Sequence, residues 1–361
     1  MDSLLLYLSS FACSSGAAYI YQIKYKTGCD PSIYKKLMWA VIIMFFPMII
    51  SCYRYGIGID YENYIILFEE FHSSTWNSLV AETLSFEYIN KAIVDLGFLL
   101  TGNTNGVFAI YAIMTLIMFE LSLINFKSQI SLPVSTFILL LLMYSLSLNI
   151  IRQALALSII FYSLKFIVEK RPIGYFIGCI IATGIHTSAV ISILFYFLYE
   201  HKNTLYKTLL NRAIKIGVII LPIILTPLLN NFQTFFLFKN YFENYEQEGA
   251  SIVESYIIKL PILIILMLNY RYLKGSNISR FLYWMFALEL IMLFVASIYK
   301  WAFRLSYYSY IGQVLLVGII ARRRTSDATI YKLLLITYYI IYFYVLFYMW
   351  GRDGIFPYTR L

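Results

Sequence analysis

Apolar runs close to twenty residues long, separated by short polar breaks, recur along this chain from end to end. Such runs leave few structural options. A bilayer core takes about 20 apolar residues per helix, about 17 at the least. Within hydrocarbon, a helix satisfies all its backbone N–H and C=O groups inside one segment. The runs lie at 3–22, 37–53, 105–125, 132–149, 151–169, 173–185, 187–200, 213–231, 256–273, 279–300, 303–321 and 330–350. Two of them, 173–185 and 187–200, are too short to cross alone. Composition agrees, with 61% hydrophobic residues, 13% charged and a mean hydropathy of +0.74. That charged share is about half that of a soluble domain. The expected fold is therefore all-α: a polytopic integral membrane protein of about 12 transmembrane helices, forming a single membrane domain over 1–361. Soluble enzymes, nucleic-acid binders and disordered scaffolds are excluded, so the net charge of +9 calls for a membrane explanation.

Lys and Arg supply that explanation, because cytoplasmic loops retain them. With the N-terminus outside, the inner loops are 23–36, 126–131, 165–172, 200–215, 271–280 and 322–332, and they hold nineteen of the 28 basic residues. Trp39 and Trp284 then fall at inner boundaries and Trp301 and Trp350 at outer ones, as interfacial rings prefer. The segment 86–101 carries Glu87, Lys91 and Asp95 at four-residue intervals, a charged stripe on one helical face. It is expected to lie on the surface or dip in part-way. The four cysteines show no CxxC spacing, and three of them fall in apolar stretches, so neither a disulfide framework nor a metal site is expected.

With sidedness assigned, the unusual polar residues gather outside. Arg54-Tyr55-Gly56-Ile57-Gly58-Ile59-Asp60-Tyr61-Glu62-Asn63-Tyr64 leaves the second run. Its glycines allow a tight turn whose N–H groups and Arg suit an anion, and Asp60 is placed to cap a following helix. Asn149-Ile150-Ile151-Arg152-Gln153 forms an outer turn between two long runs, where an Arg must sit at an interface or face a wet cavity. His186, in Gly184-Ile185-His186-Thr187-Ser188, stands where the two short runs meet, which suggests a hairpin lining a cavity. Arg304 follows Lys300 and Trp301 and precedes Tyr307 and Tyr308. Outer segments 54–104 and 232–255 are expected to contribute to a site, the latter through Tyr241, Tyr245 and several acids that suit sugars. Each residue alone also has an ordinary reading: a snorkelling Arg, a plain N-cap, a hydrogen-bonded packing His, an interfacial Tyr. Glu120, Lys259 and Glu289 fall within spans as cavity or helix-pairing candidates.

R-x-G-x-G-x-D-Y-x-x-Y after the second span, I-R-Q-x-L-A opening a span, I-H-x-S-A in the short hairpin, the late Arg304 and the closing Phe356-Pro357-Tyr358 resemble the EpsG/Wzy-like polysaccharide polymerases, over about 54–358. The resemblance implies an all-helical, GT-C-like membrane glycosyltransferase in the bacterial cytoplasmic membrane. Its site would face outward and join undecaprenyl-pyrophosphate-linked oligosaccharide repeat units into O-antigen, capsule or exopolysaccharide. It implies no cofactor and no nucleic acid, with a chain-length regulator and a flippase as membrane partners.

Breaking an anomeric C–O bond leaves a pyrophosphate that guanidinium groups stabilise. Arg152 and Arg304, supported by Arg54, are the expected pyrophosphate clamp. An attacking hydroxyl needs a base; His186 and Asp60 come first, with Glu87 in reserve. Tyr61, Tyr64, Gln153, Tyr241, Tyr245, Tyr307 and Tyr308 are the expected sugar contacts. A single displacement inverts the anomeric centre. Metal-independent catalysis is expected, since no metal-ligand spacing is evident. The rival readings are a lipid-linked oligosaccharide flippase, an O-antigen ligase and a sugar acyltransferase.

Overall fold

The computed structural model describes residues 3–25, 31–75, 88–200, 212–221, 223–224, 252–298 and 302–360. Every regular element among them is helical. The chain runs through α1 (Ser3–Lys24), α2 (Ile33–Cys52), α3 (Tyr61–Ser73), α4 (Tyr88–Thr101), α5 (Thr104–Asn125), α6 (Leu132–Asn149) and α7 (Ile151–Val168). After α8 (Pro172–Ile185) come a 3-10 segment, Thr187–Ser192, and α9 (Ile193–Leu198). Further on lie α10 (Ile252–Leu268), α11 (Tyr270–Leu273), α12 (Asn277–Ile298), α13 (Phe303–Ser306), α14 (Tyr310–Arg322) and α15 (Ser326–Phe343). Eight helices are long and apolar enough to cross a membrane, and Pro172–Ile185, Thr187–Leu198 and Tyr256–Leu268 are shorter apolar helices. This is an all-α polytopic membrane protein. Of the expected run 213–231, residues 213–221 and 223–224 are described, and they are helical.

Two expected runs divide or shift, and the segment 86–101 forms a short helix. The run 303–321 divides into α13, a 3-10 turn at Tyr307–Ser309 and α14. Within it the Ser306 hydroxyl donates to the Phe303 carbonyl at 2.7 Å, a local bond that competes with the helical ladder. The run 256–273 starts early, at Ile252, and breaks at Asn269. The segment 86–101 becomes α4, whose 14 residues reach only about 21 Å, short of the bilayer core. Lys91 is buried, with its ammonium 2.6 Å from Asp95, and the Asp95 carboxylate also lies 3.5 Å from His72 on α3.

The two short runs form the anticipated hairpin. α8 ends at Ile185, His186 is extended (φ −150°, ψ 117°), and the chain doubles back. The Tyr175 hydroxyl donates to the Ser192 carbonyl at 2.5 Å, clasping the two arms together.

The central helix is α6, buried along almost its whole length and packed against α1, α5, α7, α14 and α15. Polar residues within the spans pair helices. Thr136 on α6 donates to both carboxylate oxygens of Glu120 on α5, at 3.2 and 3.0 Å. Lys259 on α10 lies 2.6 Å from Glu289 on α12, and Gln313 on α14 joins them.

The bundle has two contrasting ends. One carries Lys24, Lys127, Lys215, Arg280, Arg322 and Arg323 and is called here the basic end. Lys24 lies against Trp39 and Lys215 against Trp284 there, at 5.5 and 5.8 Å from the ring centres. At the opposite end Arg54, the α6–α7 turn, His186, Arg304 and residues 351–360 come together.

Candidate functional site

The foundation of the site is the turn between α6 and α7. The last α6 carbonyls have no partner within their own helix, and the Arg54 guanidinium takes one of them, its Nη1 donating to the Leu148 carbonyl at 2.5 Å. Arg54 is only 2% exposed and lies over the Phe108 ring, 5.0 Å from its centre. Burial lowers its pKa to about 10, which leaves it charged at neutral pH. Its Nε and Nη2 have no hydrogen-bond partner.

Gly58 makes this approach of the 53–60 loop possible. It adopts φ +104°, and a Cβ there would stand 2.6 Å from the Leu148 carbonyl oxygen. Asn149 then ties loop to turn, its Oδ1 accepting the Asp60 N–H at 3.0 Å. The last ten described residues complete the frame. Tyr55 N–H donates to Thr359, Gly58 N–H donates to Gly354, and Arg54 pairs antiparallel with Arg360. The Tyr358 hydroxyl reaches the Ile50 carbonyl at 3.0 Å and the Tyr7 hydroxyl reaches that of Ile355 at 3.1 Å, within a nest of rings that includes Phe11, Tyr144, Phe343 and Phe356.

On this frame stand the groups expected to do chemistry. Asp60 occupies the N-cap position of α3, but its side chain makes no cap bond, contrary to expectation. Its carboxylate instead lies 3.7 Å from the Arg304 guanidinium. Gln153, fully buried in the first turn of α7, donates to the Arg304 carbonyl at 2.9 Å, which couples α13 to α7. Tyr64 lies within electrostatic reach of Arg152, Asp60 and Arg304; burial raises its pKa most, Asp60 adds to that, and the two arginines oppose it. Arg152 and Arg304 thus converge from distant parts of the sequence.

His186 belongs to the same cluster. Its Nδ1 lies 2.6 Å from the Ser188 hydroxyl, which lies 3.0 Å from the Tyr308 hydroxyl. Asn90 of α4 holds the turn, donating to the Ile185 carbonyl at 2.9 Å while accepting from Tyr111 at 2.7 Å. Burial holds the imidazole pKa well below its ordinary value, and Arg152 and Arg304 push it the same way. The ring is therefore neutral at pH 7, the state a proton acceptor needs.

The aromatic candidates divide. Tyr61 is buried and stacked on Phe108, with ring centres 4.8 Å apart, and Tyr308 is buried with its hydroxyl on Ser188. Both are held by the protein's own packing rather than open to a ligand. Tyr307 is buried beside Arg352. Glu87, Tyr241 and Tyr245 lie outside the described residues, as does 232–251 of the second outer segment.

Two site residues escaped the sequence reading. Arg352 places its Nη2 3.3 Å from the Tyr307 hydroxyl and its guanidinium over Phe303, 4.8 Å from the ring centre. Asp353, at φ +63°, takes a 3.5 Å contact from the Asn149 amide and leaves its Oδ2 without a hydrogen-bond partner although buried. The clue was the pair of glycines in Gly351-Arg352-Asp353-Gly354, both with positive φ, marking a built turn rather than a trailing end.

Fold and site together define a polytopic all-α membrane protein with a cationic, aromatic-lined cluster at one end of its helices. A family model described as the EpsG family matches residues 37–360, and the chain belongs to that family. No curated protein and no solved structure matches it. Membership in the family supports a polysaccharide-polymerase-like role.

Proposed function

We propose that this protein lengthens a bacterial surface polysaccharide by joining oligosaccharide repeat units carried on undecaprenyl pyrophosphate, at the outer face of the cytoplasmic membrane. One observation carries the reading. Five guanidinium groups, on Arg54, Arg152, Arg304, Arg352 and Arg360, stand at one end of the bundle, against the carboxylates of Asp60, Asp353 and the exposed Glu62 among the described residues. In a poorly screened setting such an excess calls for an anionic ligand of more than one charge. A lipid pyrophosphate meets that need.

The acceptor hydroxyl oxygen attacks the anomeric carbon of the donor chain. The carbon–oxygen bond to pyrophosphate breaks, and its electron pair leaves on the lipid carrier. The hydroxyl proton passes to His186, with Asp60 as the second candidate. One displacement inverts the anomeric centre. Arg152 and Arg304 take the charge that develops on the leaving group, with the N-terminal end of α7 beside them adding its dipole. Arg54 acts from behind by holding the α6 terminus, and Arg352 extends the cationic surface past Tyr307. The chemistry proceeds without a metal, so EDTA leaves the rate unchanged.

The test is a reaction of the purified protein with one defined lipid-linked repeat unit. A ladder of products with release of undecaprenyl pyrophosphate is the expected result. No transfer to a second repeat unit, with transfer to lipid A core instead, indicates a ligase. Accumulation of inward-facing precursors in a deletion strain indicates a flippase. Either outcome removes the polymerase reading.

A further inference from the structure

A second feature lies at the basic end, remote from the cationic cluster. A cavity of about 200 Å³ opens between α11 and the first turns of α12, lined by Tyr270, Lys274, Ser279, Arg280, Tyr283 and Trp284 among others. Its lining changes character along the helix. Ser279 and Arg280 stand in the first turn of α12, Tyr283 and Trp284 one turn on, and Ala287 a turn beyond that. These positions recur every three to four residues, so they share one face that runs from polar to aromatic to aliphatic.

The polar mouth is built. Arg280 is fixed from several sides: its Nε and Nη2 donate to Glu200 at 3.2 and 2.8 Å, and its Nη1 donates to the Lys274 carbonyl at 2.6 Å. Lys215 shares Glu200 at 2.7 Å and lies over Trp284. Lys274 is exposed, has no carboxylate within ion-pair distance among the described residues, and keeps its ammonium 6.0 Å from the Tyr270 ring. Three cations therefore gather around one carboxylate, which two of them bind, beside Trp and Tyr rings of the kind that favour the membrane interface.

We propose that this cavity binds the headgroup of an anionic phospholipid, with its acyl chains lying along the exposed apolar face of the neighbouring helices. The charge excess selects a lipid of net negative charge over a zwitterionic one. The aromatic wall selects an amphiphile over a free phosphate. A basic pocket between membrane helices is suited to this chemistry, each nearby Lys or Arg adding to the attraction.

The test is native mass spectrometry of the detergent-purified full chain titrated with phosphatidylglycerol or phosphatidylcholine of equal chain length. Wild-type protein is expected to retain phosphatidylglycerol preferentially. Lys274→Glu is expected to weaken that retention at least about tenfold, whereas Arg324→Glu, which reverses an exposed charge at the same end outside the cavity, leaves it intact. Ala287→Trp fills the apolar end without changing charge and is expected to weaken retention as well, with folding checked by thermal melting. Glycerol phosphate in solution should not compete. Equal retention of both lipids, equal loss in both charge-reversal variants, or displacement by glycerol phosphate overturns the proposal. Lys274→Glu decides the matter on its own if Ala287→Trp fails to fold.

Discussion

At the basic end, arginine side chains are satisfied by the chain itself. Arg322 donates to the Lys127 and Ile130 carbonyls at 3.0 Å each, Gln22 of α1 bonds the same two, and Arg323 reaches Asn269 at 2.6 Å. At the site end, polar atoms are left over. Arg54 keeps Nε and Nη2 unbonded, Gln153 keeps Oε1 and Asp353 keeps Oδ2, all buried. Leaving a buried polar atom unsatisfied costs about 1–3 kcal/mol, more for a charged group. The contrast lies in the arginines: those of the basic end bond to the chain, whereas Arg54 keeps two buried donors unmatched, although Trp39, Asn125 and Gln129 leave buried polar atoms without partners at the basic end too.

The sharpest way to break this comparison is to remove the two converging arginines. Replacing Arg152 and Arg304 together with Ala is expected to lower turnover by about a thousandfold or more, given about 10²–10³ for one transition-state donor. Protein abundance should hold. Polymer of normal length from that variant would detach both residues from the chemistry. His186→Ala comes next, with an expected loss of about a hundredfold. The wild-type pH profile sharpens the point: the depressed imidazole pKa keeps the ring neutral at pH 7, so the rate should be flat there. It should fall only as acidity passes a midpoint below the usual histidine value. A midpoint above that value would contradict the burial of His186 between two cations.

Gly58→Ala tests the frame beneath the site. A Cβ would meet the Leu148 carbonyl and strain a positive-φ backbone, costing about 1–3 kcal/mol. Turnover should fall roughly tenfold by the displacement of Asn149 and Arg152, read against a thermal melt. The smallest effect on rate belongs to the opposite end. Arg322→Ala removes charged hydrogen bonds to two carbonyls, worth about 1.5–3 kcal/mol. It should lower the melting temperature while turnover per folded molecule stays at the wild-type level. A rate defect there without loss of stability would erase the distinction between the ends.

Helical runs and the motifs at Arg54, Arg152, His186 and Arg304 were legible because they rest on local features: run length, charge bias and breaks in hydrophobicity. The hairpin at His186 is a case in point, since two half-length runs on either side of a Gly-His break can fold in few ways. Asp60 shows the limit. Its position suits an N-cap, yet Arg304, 244 places later in the chain, draws the carboxylate away. Tyr308 resembles a sugar platform by its neighbours alone, but packing turns its hydroxyl to Ser188. Arg352 and Asp353 drew no notice because their importance comes from lying beside Tyr307 and Asn149, contacts without any trace in local pattern.

What the sequence determined by itself was the solvent this chain lives in and the helices it forms there, because burying backbone polar groups in hydrocarbon leaves a helix as the answer to a long apolar run. Only the tertiary structure decided which cations share a space. Arg54, Arg152, Arg304 and Arg352 meet through α6 packing at the centre, a glycine that lets a loop approach, and a C-terminal segment that folds back against that loop. Electrostatic interaction depends on distance in space rather than along the chain, so that meeting cannot be read from any one segment.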